Sequence, residues 1–300
     1  MRSIRPAMSA SHIQRLEDRG VVRVAGADAE AFLQGLVTND MARLAETPAI
    51  YAGLLSPQGK ILFEFLVVKG EDGFLLDVAA SEAAELVKRL ALYKLRAKVE
   101  ITDRSSAYEV FTGAGGFNDP RFAELGQRAI AARAFPPTPA FAGLRPDKPA
   151  LPHKGRGDRG EGLTYDSARI SLGIPEGGKD YALGTPFPHE AMFDQLNGVS
   201  FSKGCYVGQE IVARMQHRGT ARSRFLMVTG DGPLPPMGTV VTAGAVPLGA
   251  MGSSMGTQGL ALIRLDRLAD AYAVKSPVTA GGVALTLAKP PYATFEAPTP

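Results

Sequence analysis

The residue pattern of this 300-residue chain changes at Ser223, and that change constrains the fold more than any other feature of the sequence. Before Ser223, segments with strand patterns and segments with helix patterns are interspersed. After it, short apolar runs alternate with Gly and Pro, which is typical of an all-β unit. The expected strands of this unit are 224–229, 239–242, 259–264 and 283–287. The sequence therefore predicts a small C-terminal β-barrel behind a mixed region.

The mixed region has α+β character rather than an alternating α/β pattern. Two apolar runs flank the turn signal Pro57-Gln58-Gly59 and predict a hairpin. Asp28 and Ser81 stand where each can cap a following helix. The expected strands are 20–24, 50–55, 61–68, 74–78, 99–102 and 108–112, and the expected helices follow Asp28 and span 82–93, 166–172, 189–196 and 208–217.

The domain division is expected to follow these patterns. We expect a mobile extension at residues 1–19, the mixed region at 20–222 and the barrel at 223–300. Six prolines among glycines and charges indicate a linker at 135–160. Within it, 155–160 matches the dinucleotide-binding pattern G-x-G-x-x-G, but no strand pattern precedes it. We interpret these glycines as loop residues.

Composition excludes several broad classes of function. Lys plus Arg number 33 against 30 acidic residues, and a net charge of +3 does not indicate a bulk nucleic-acid or membrane partner. No run approaches the roughly 20 apolar residues of a membrane span. A single cysteine cannot form an internal disulfide, so a reducing cytoplasmic location is expected. Nucleic acid is an unlikely partner because no interleaved aromatics offer a stacking platform.

The octet Lys203-Gly204-Cys205-Tyr206-Val207-Gly208-Gln209-Glu210 contains that one cysteine. The glycines permit a compact turn, and both the Lys203 ammonium and a helix starting near Gly208 would favour the thiolate. Gln209 and Glu210 could then orient neighbouring groups. The alternative is an inert, buried apolar cysteine. The flanking residues favour a chemical role for Cys205.

Stable metal binding by the chain alone has little support in the sequence. The four histidines are scattered, and no C-x-x-C or H-E-x-x-H spacing occurs. One cysteine cannot supply the four thiolates of a conventional iron–sulfur cluster. The sequence leaves open a cluster that Cys205 shares with the thiols of a partner, or a cluster shared between two subunits.

The octet and several earlier blocks resemble the YgfZ family of folate-binding proteins, which act in iron–sulfur cluster maturation and are related to the glycine-cleavage T-protein. The resemblance runs from about Gly20 to Lys289. It implies a T-protein-like fold in which 20–222 forms two interleaved α+β folate-binding domains, with the C-terminal barrel, around a central pocket for tetrahydrofolate. The earlier blocks are Phe32-Leu33-Gln34-Gly35, Thr38-Asn39-Asp40, Ser56-Pro57-Gln58-Gly59-Lys60, Leu92-Tyr93-Lys94-Leu95-Arg96 and Pro188-His189-Glu190, and Gln216 to Arg222 follow the octet.

The same resemblance indicates which residues could contact the folate. It places Asn39 and Asp40 near the pocket, although both residue types also suit a helix end or a turn. Tyr51 could stack on the pterin or fill the core. Arginines suit the carboxylates of the folate tail, or stand on solvated faces. The candidates of this kind are Arg96, Arg169 and Arg214.

Departures from the T-protein pattern bear on activity. Phe63-Glu64 stands where aminomethyltransferases carry paired aspartates, and Ser171 stands where they carry a pterin-binding glutamate. The first hypothesis is therefore a tetrahydrofolate-binding factor for iron–sulfur assembly or repair, with Cys205 as functional thiol and client or assembly proteins as partners. The second is a folate-dependent one-carbon transferase that uses Glu64, so enzymatic activity stays open. The third is a non-catalytic adaptor that docks cluster enzymes.

Overall fold

The computed structural model describes residues 13–113, 115–133, 164–219 and 221–300. The predicted linker at 135–160, the glycine pattern at 155–160 and most of the predicted extension lie outside these residues.

The described residues form strands and short helices that connect three sheets. The helices are α1 (Ala29–Gln34), α2 (Ala83–Lys94), α3 (Tyr165–Leu172), α4 (Gln209–Arg218) and α5 (Leu265–Ala273). The strands are β1 (Gln14–Arg15), β2 (Arg19–Ala25), β3 (Ala49–Leu55), β4 (Ile61–Lys69), β5 (Gly73–Ala79), β6 (Glu100–Asp103), β7 (Tyr108–Gly113), β8 (Phe117–Asn118), β9 (Gln127–Ala132), β10 (Ser223–Gly230), β11 (Val240–Ala243), β12 (Val246–Met255), β13 (Gln258–Arg264), β14 (Val278–Ala280) and β15 (Val283–Ala288).

A five-stranded antiparallel sheet has the order β3-β4-β5-β2-β6. The predicted hairpin is present, with Ile50 opposite Val67. Leu33 of α1 and Leu86 and Leu90 of α2 belong to the same buried cluster as Val22 on β2. The apolar faces of these helices thus cover the sheet.

A four-stranded sheet has the order β1-β7-β9-β8. The chain contributes β1 to this sheet, passes through the whole five-stranded sheet, and returns for β7 to β9, so the two sheets are interleaved. The prediction of a mobile extension through residue 19 is corrected here. Gln14 pairs with Thr112 on β7, and Arg19 already begins β2, because these backbone groups find partners in the two sheets.

The C-terminal strands close into a barrel of order β10-β13-β12-β11-β14-β15. Its interior contains Leu226, Val241 and Ile263, all fully or almost fully buried. The predicted α+β fold with a C-terminal β-barrel is confirmed. Sequence reasoning missed β12, whose Pro247, Gly249 and Gly252 interrupt the strand pattern, and it missed α5 and β14.

Three local predictions are corrected. Residues 189–196 form successive turns rather than a helix, because Met192 adopts a φ of 67°, outside the helical region. The Asp28 carboxylate accepts from the Lys98 backbone N–H at 2.7 Å instead of capping α1. Ser81 lies within a 3₁₀ turn and donates to Glu82 rather than capping α2.

Within the described residues, no helix has the length and apolar character needed to cross a membrane.

Candidate functional site: an exposed thiol on a braced loop

The loop that carries Cys205 is anchored first by Lys203, whose side chain is buried. Its ammonium donates to three backbone carbonyls at the end of α1 and just after it, those of Gln34 at 2.7 Å, Val37 at 2.6 Å and Asn39 at 2.9 Å. An ammonium has three N–H groups, and all three are used. Burial lowers the pKa of Lys203 to about 8, with the Asp40 charge opposing. The prediction that Lys203 activates the thiol is therefore corrected: Lys203 braces the loop.

The second anchor is a close approach between two glycines. Gly208 precedes α4 with a φ of 81°, and Gly59 in the β3–β4 turn has a φ of 78°. A Cβ on Gly208 would lie 2.6 Å from the Ser56 carbonyl oxygen and 3.1 Å from the Gly59 Cα. Tyr206 is buried in the core between the two anchors. The loop is thus fixed on both sides of Cys205.

Cys205 itself is exposed to solvent. A Cβ built on the neighbouring Gly204 would contact nothing within 4 Å, so the surface next to Cys205 is open at Gly204. The alternative of a buried cysteine is therefore wrong. An exposed thiol on a fixed loop is accessible to a metal ion, an electrophile or another protein.

Gln209 and Glu210, which the sequence predicts to orient groups near the thiol, belong to the first turn of α4. Gln209 is the first residue of α4, where its N–H donates to the Tyr206 carbonyl. Glu210 forms an ion pair with Arg214 one turn later on the exposed surface of α4, at 2.7 Å. Because both charges are solvated, this pair contributes little to stability. The side chain of Arg214, a predicted folate contact, is engaged in this ion pair.

Asn39 and Asp40 act as connectors in this structure. The buried Asn39 amide donates to the carbonyls of Tyr51 and Asn197, both at 2.7 Å. Asp40 accepts from the Ala42 N–H at 3.1 Å, and so caps the 3₁₀ turn Met41–Ala45. Both side chains fix the segment whose carbonyls hold Lys203.

Glu64 and Tyr51 meet in the buried centre, but other groups of the chain occupy them. The Glu64 carboxylate accepts from the Gly177 N–H at 2.9 Å, from the Tyr51 hydroxyl at 3.0 Å and from the Tyr181 hydroxyl. Burial, aided by the charge of Glu176, raises the pKa of Glu64. The Tyr51 ring packs on Phe193 with centroids 4.6 Å apart. The core role of Tyr51 is the one observed.

A buried ion network beside Glu64 was missed by sequence reasoning. Asp77 accepts from Arg19 at 2.7 Å and from Arg128 at 2.6 Å, and Glu176 accepts from Arg19 at 3.2 Å. The network extends through Tyr165 to Arg121, which forms a bidentate pair with Asp119. A signal was present, because Asp77 interrupts an apolar strand. These charges join both sheets.

The remaining arginine candidates do not converge on a pocket. Arg169 is buried and bonds to Asp166, Asp180 and Ser253, which ties α3 to the barrel. Arg96 is exposed beyond the end of α2. None of the three predicted arginines lines the cavity that Asn39 and Tyr51 border.

That cavity allows a test of whether tetrahydrofolate fits. It measures about 250 Å³ and is bordered also by Asp119 and Asn197. Cofactor sites range from about 300 to 1,000 Å³ and offer convergent free polar groups. The Asn39 amide is already bonded within the chain, and Glu64 does not border this cavity. As the described residues form it, the cavity is smaller than a usual cofactor site and does not fit tetrahydrofolate.

In the described parts of the chain, no cluster of three or more His, Cys, Asp or Glu side chains could hold a metal ion.

Comparison with known families matches both parts of the chain. The model of the GCVT N-terminal domain matches residues 10–130, and that of the CAF17 C-terminal β-barrel domain matches residues 222–295. The mitochondrial iron–sulfur cluster assembly factor IBA57 of Mus musculus is 32% identical over 301 residues, covering 87% of this chain and 80% of that protein. The IBA57 of Homo sapiens is 32% identical over 291 residues, covering 85% and 78%.

A solved structure gives the same fold. The glycine cleavage system aminomethyltransferase T from Bartonella henselae superposes with a TM-score of 0.67, at 16% identity, over 94% of this chain and 86% of that one. The predicted T-protein-like fold is confirmed. The predicted cytoplasmic location is wrong, because the relatives are named as mitochondrial proteins.

Proposed function

The chain belongs to the IBA57 family of GcvT-like iron–sulfur cluster assembly factors, and we propose that it supports cluster assembly through Cys205. The observation that carries the proposal is the exposed thiol on a loop fixed at Lys203 and Gly208. The assignment to the YgfZ branch in particular is a narrower proposal and is not needed for this one.

The braced loop explains why an exposed thiol suits this task. A thiolate is a good ligand for the iron of a cluster. Because both ends of the loop are anchored, Cys205 is held in one place without help from a bound metal. Iron can therefore bind with little additional ordering of the loop.

One thiol cannot complete the coordination of a cluster, so the other ligands come from a partner. Four thiolates are the usual set, and Cys205 is the only cysteine of the chain. The cluster is cargo held at the junction of two proteins. Assembly partners that themselves carry cysteines fit this requirement.

Tetrahydrofolate is not part of the proposal. The cavity is small, and Glu64, which a one-carbon transferase would use, is bonded to Tyr51, Tyr181 and Gly177. Anaerobic calorimetric titration of tetrahydrofolate should give no saturable heat. Saturable binding that is lost in Glu64→Gln would restore the folate-dependent transferase instead.

The experiment for the proposed function is genetic complementation. Cells that lack the protein receive the wild type, Cys205→Ser or the control Ser202→Ala, which changes an exposed residue of the same loop. Cys205→Ser should accumulate as folded protein yet fail to restore iron–sulfur enzyme activity, whereas Ser202→Ala should restore it. Full restoration by Cys205→Ser would overturn the role of the thiol.

A further inference from the structure

The end of α2 exposes two leucines to solvent. Leu92 is 70% exposed and Leu95 is 90% exposed, the highest exposure of any large apolar side chain in the described residues. Single exposed apolar residues are common on protein surfaces, but two within one turn are less so. We call Leu92, Lys94, Leu95 and Arg96 the turn patch.

Leu95 is held outward by an unusual backbone. Its φ of 42° and ψ of −107°, with the Ala97 N–H donating to the Lys94 carbonyl at 2.7 Å, define the first central position of a type II′ turn. Glycine is the residue that normally occupies this position. A leucine here strains the backbone and buries little of its own surface. Packing within the chain therefore does not explain the residue.

The backbone beyond the turn patch is fixed to the rest of the fold. The Lys98 N–H donates to the Asp28 carboxylate at 2.7 Å, and the Asp28 N–H donates to the Lys98 carbonyl at 3.4 Å. The presentation of Leu95 is thus built into the structure.

Cationic residues flank the two leucines along the chain. The segment 88–98 contains five cationic residues and no acidic one. Lys88 forms an ion pair with Glu85 at 3.5 Å on the exposed surface, so it is partly neutralised. Lys94, Arg96 and Lys98 are exposed. A complementary surface would offer an apolar pocket with acidic side chains around it.

The turn patch is connected to the thiol loop through α1. Asp28, bonded to Lys98, precedes α1, and the Gln34 carbonyl at its end accepts from Lys203. Six helical residues span about 9 Å. The helix that links the two sites is therefore shorter than the width of an ordinary protein interface.

We propose that the turn patch docks the protein that shares the cluster with Cys205, through an acidic-rimmed apolar pocket on that protein. The proposal rests on the proposed function, since a cluster ligated by one thiol requires a second protein at this place. Two leucines are too little apolar surface for stable attachment to a membrane. Nucleic acid is not the proposed partner either. Tyr93, the one aromatic residue of segment 88–98, is half-buried and packs on the core, so it offers no surface on which nucleic-acid bases could stack.

The test measures binding to the host's cluster-carrier proteins, each purified with a [2Fe–2S] cluster and titrated separately by calorimetry. Leu95→Gly removes the side chain and suits the backbone, so this variant keeps its fold. Leu92→Ser tests the second leucine. Both should weaken binding of a carrier at least tenfold. The control Val274→Ser, which alters a 75% exposed side chain on the barrel, should bind like the wild type.

Cys205→Ser separates docking from cluster chemistry. This variant should still bind the carrier through the turn patch, but it should no longer support transfer of the cluster between the carrier and this protein. If Leu95→Gly and Leu92→Ser bind like the wild type while Cys205→Ser loses transfer, docking at the turn patch is overturned and the function of the thiol stands. If the wild type binds no carrier, both are overturned.

Two further probes test the choice of a protein partner. Vesicles of equal phosphatidylglycerol and phosphatidylcholine, and a single-stranded oligonucleotide, should bind no better to the wild type than to Leu95→Gly. Leu95-dependent binding to either probe, without binding to a carrier, would overturn the proposal in favour of a membrane or a nucleic acid.

Discussion

Lys203→Met removes an ammonium while keeping most of the side-chain volume, and so tests whether Lys203 braces the loop or activates the thiol. The substitution leaves three backbone carbonyls without a donor, those of Gln34, Val37 and Asn39. Because burial lowers the pKa of Lys203 to about 8, desolvation offsets part of the gain from these bonds. Hydrogen bonds of a charged donor contribute about 1.5 to 3 kcal/mol each before this offset; at about 1 kcal/mol per bond after it, the free energy of unfolding should fall by about 3 kcal/mol.

The assay combines urea unfolding at pH 7 with the reaction rate of Cys205 towards a disulfide reagent. The folded variant should react within about twofold of the wild type, because the Lys203 ammonium donates to three carbonyls rather than to the thiol. Lys88→Met, an exposed control, should change stability by less than about 0.5 kcal/mol. If Lys203→Met left the stability unchanged and made Cys205 react tenfold more slowly, the role of Lys203 in anchoring the loop would be refuted. Activation of the thiol by Lys203 would then be the better account.

Three further predictions concern stability. Burial alone would raise the pKa of Glu176, but Arg19, Lys179 and Arg121 outweigh it and hold this pKa below the usual 4.5. The stability that Glu176 supplies is therefore present above pH 4.5 and is lost as the pH falls further. Glu176→Gln should lower the free energy of unfolding by about 3 kcal/mol at pH 7. In urea unfolding at a series of pH values, the free energy of unfolding of this variant should fall less steeply below pH 4.5 than that of the wild type. Gly208→Ala should lose about 2 kcal/mol, by thermal unfolding, because its Cβ meets the Ser56 carbonyl at a φ of 81°. Leu95→Gly should gain about 1 kcal/mol by relief of backbone strain, and a loss would contradict the type II′ assignment.

The strands and the barrel could be predicted because their signals are local. The hairpin around Pro57-Gln58-Gly59 combines two apolar runs with a turn signal, and β2, β5, β7 and β10 have compact apolar patterns bounded by turn residues. The helix at 189–196 failed for a reason outside its own sequence. Met192 takes a positive φ within a packed core, and tertiary contacts override helix propensity there.

The position of the candidate site could be predicted from the sequence, but the hydrogen-bond partners of its residues could not. Cys205 between glycines indicated a thiol with a chemical role rather than a buried apolar side chain, and the structure places it at the surface. The partner of Lys203 lies more than 160 residues earlier in the chain, so no local pattern could assign the ammonium to those carbonyls. The same holds for Glu64, whose donors Gly177 and Tyr181 lie more than 110 residues later in the chain.

The most direct test of the central claim is anaerobic reconstitution with ferric iron and sulfide in the presence of one of the host's cluster-carrier proteins. The wild type should form a mixed complex whose visible circular dichroism differs from that of the carrier alone, and Cys205→Ser should leave the carrier spectrum unchanged. An identical mixed complex with Cys205→Ser would show that the thiol is not a ligand and would contradict the account.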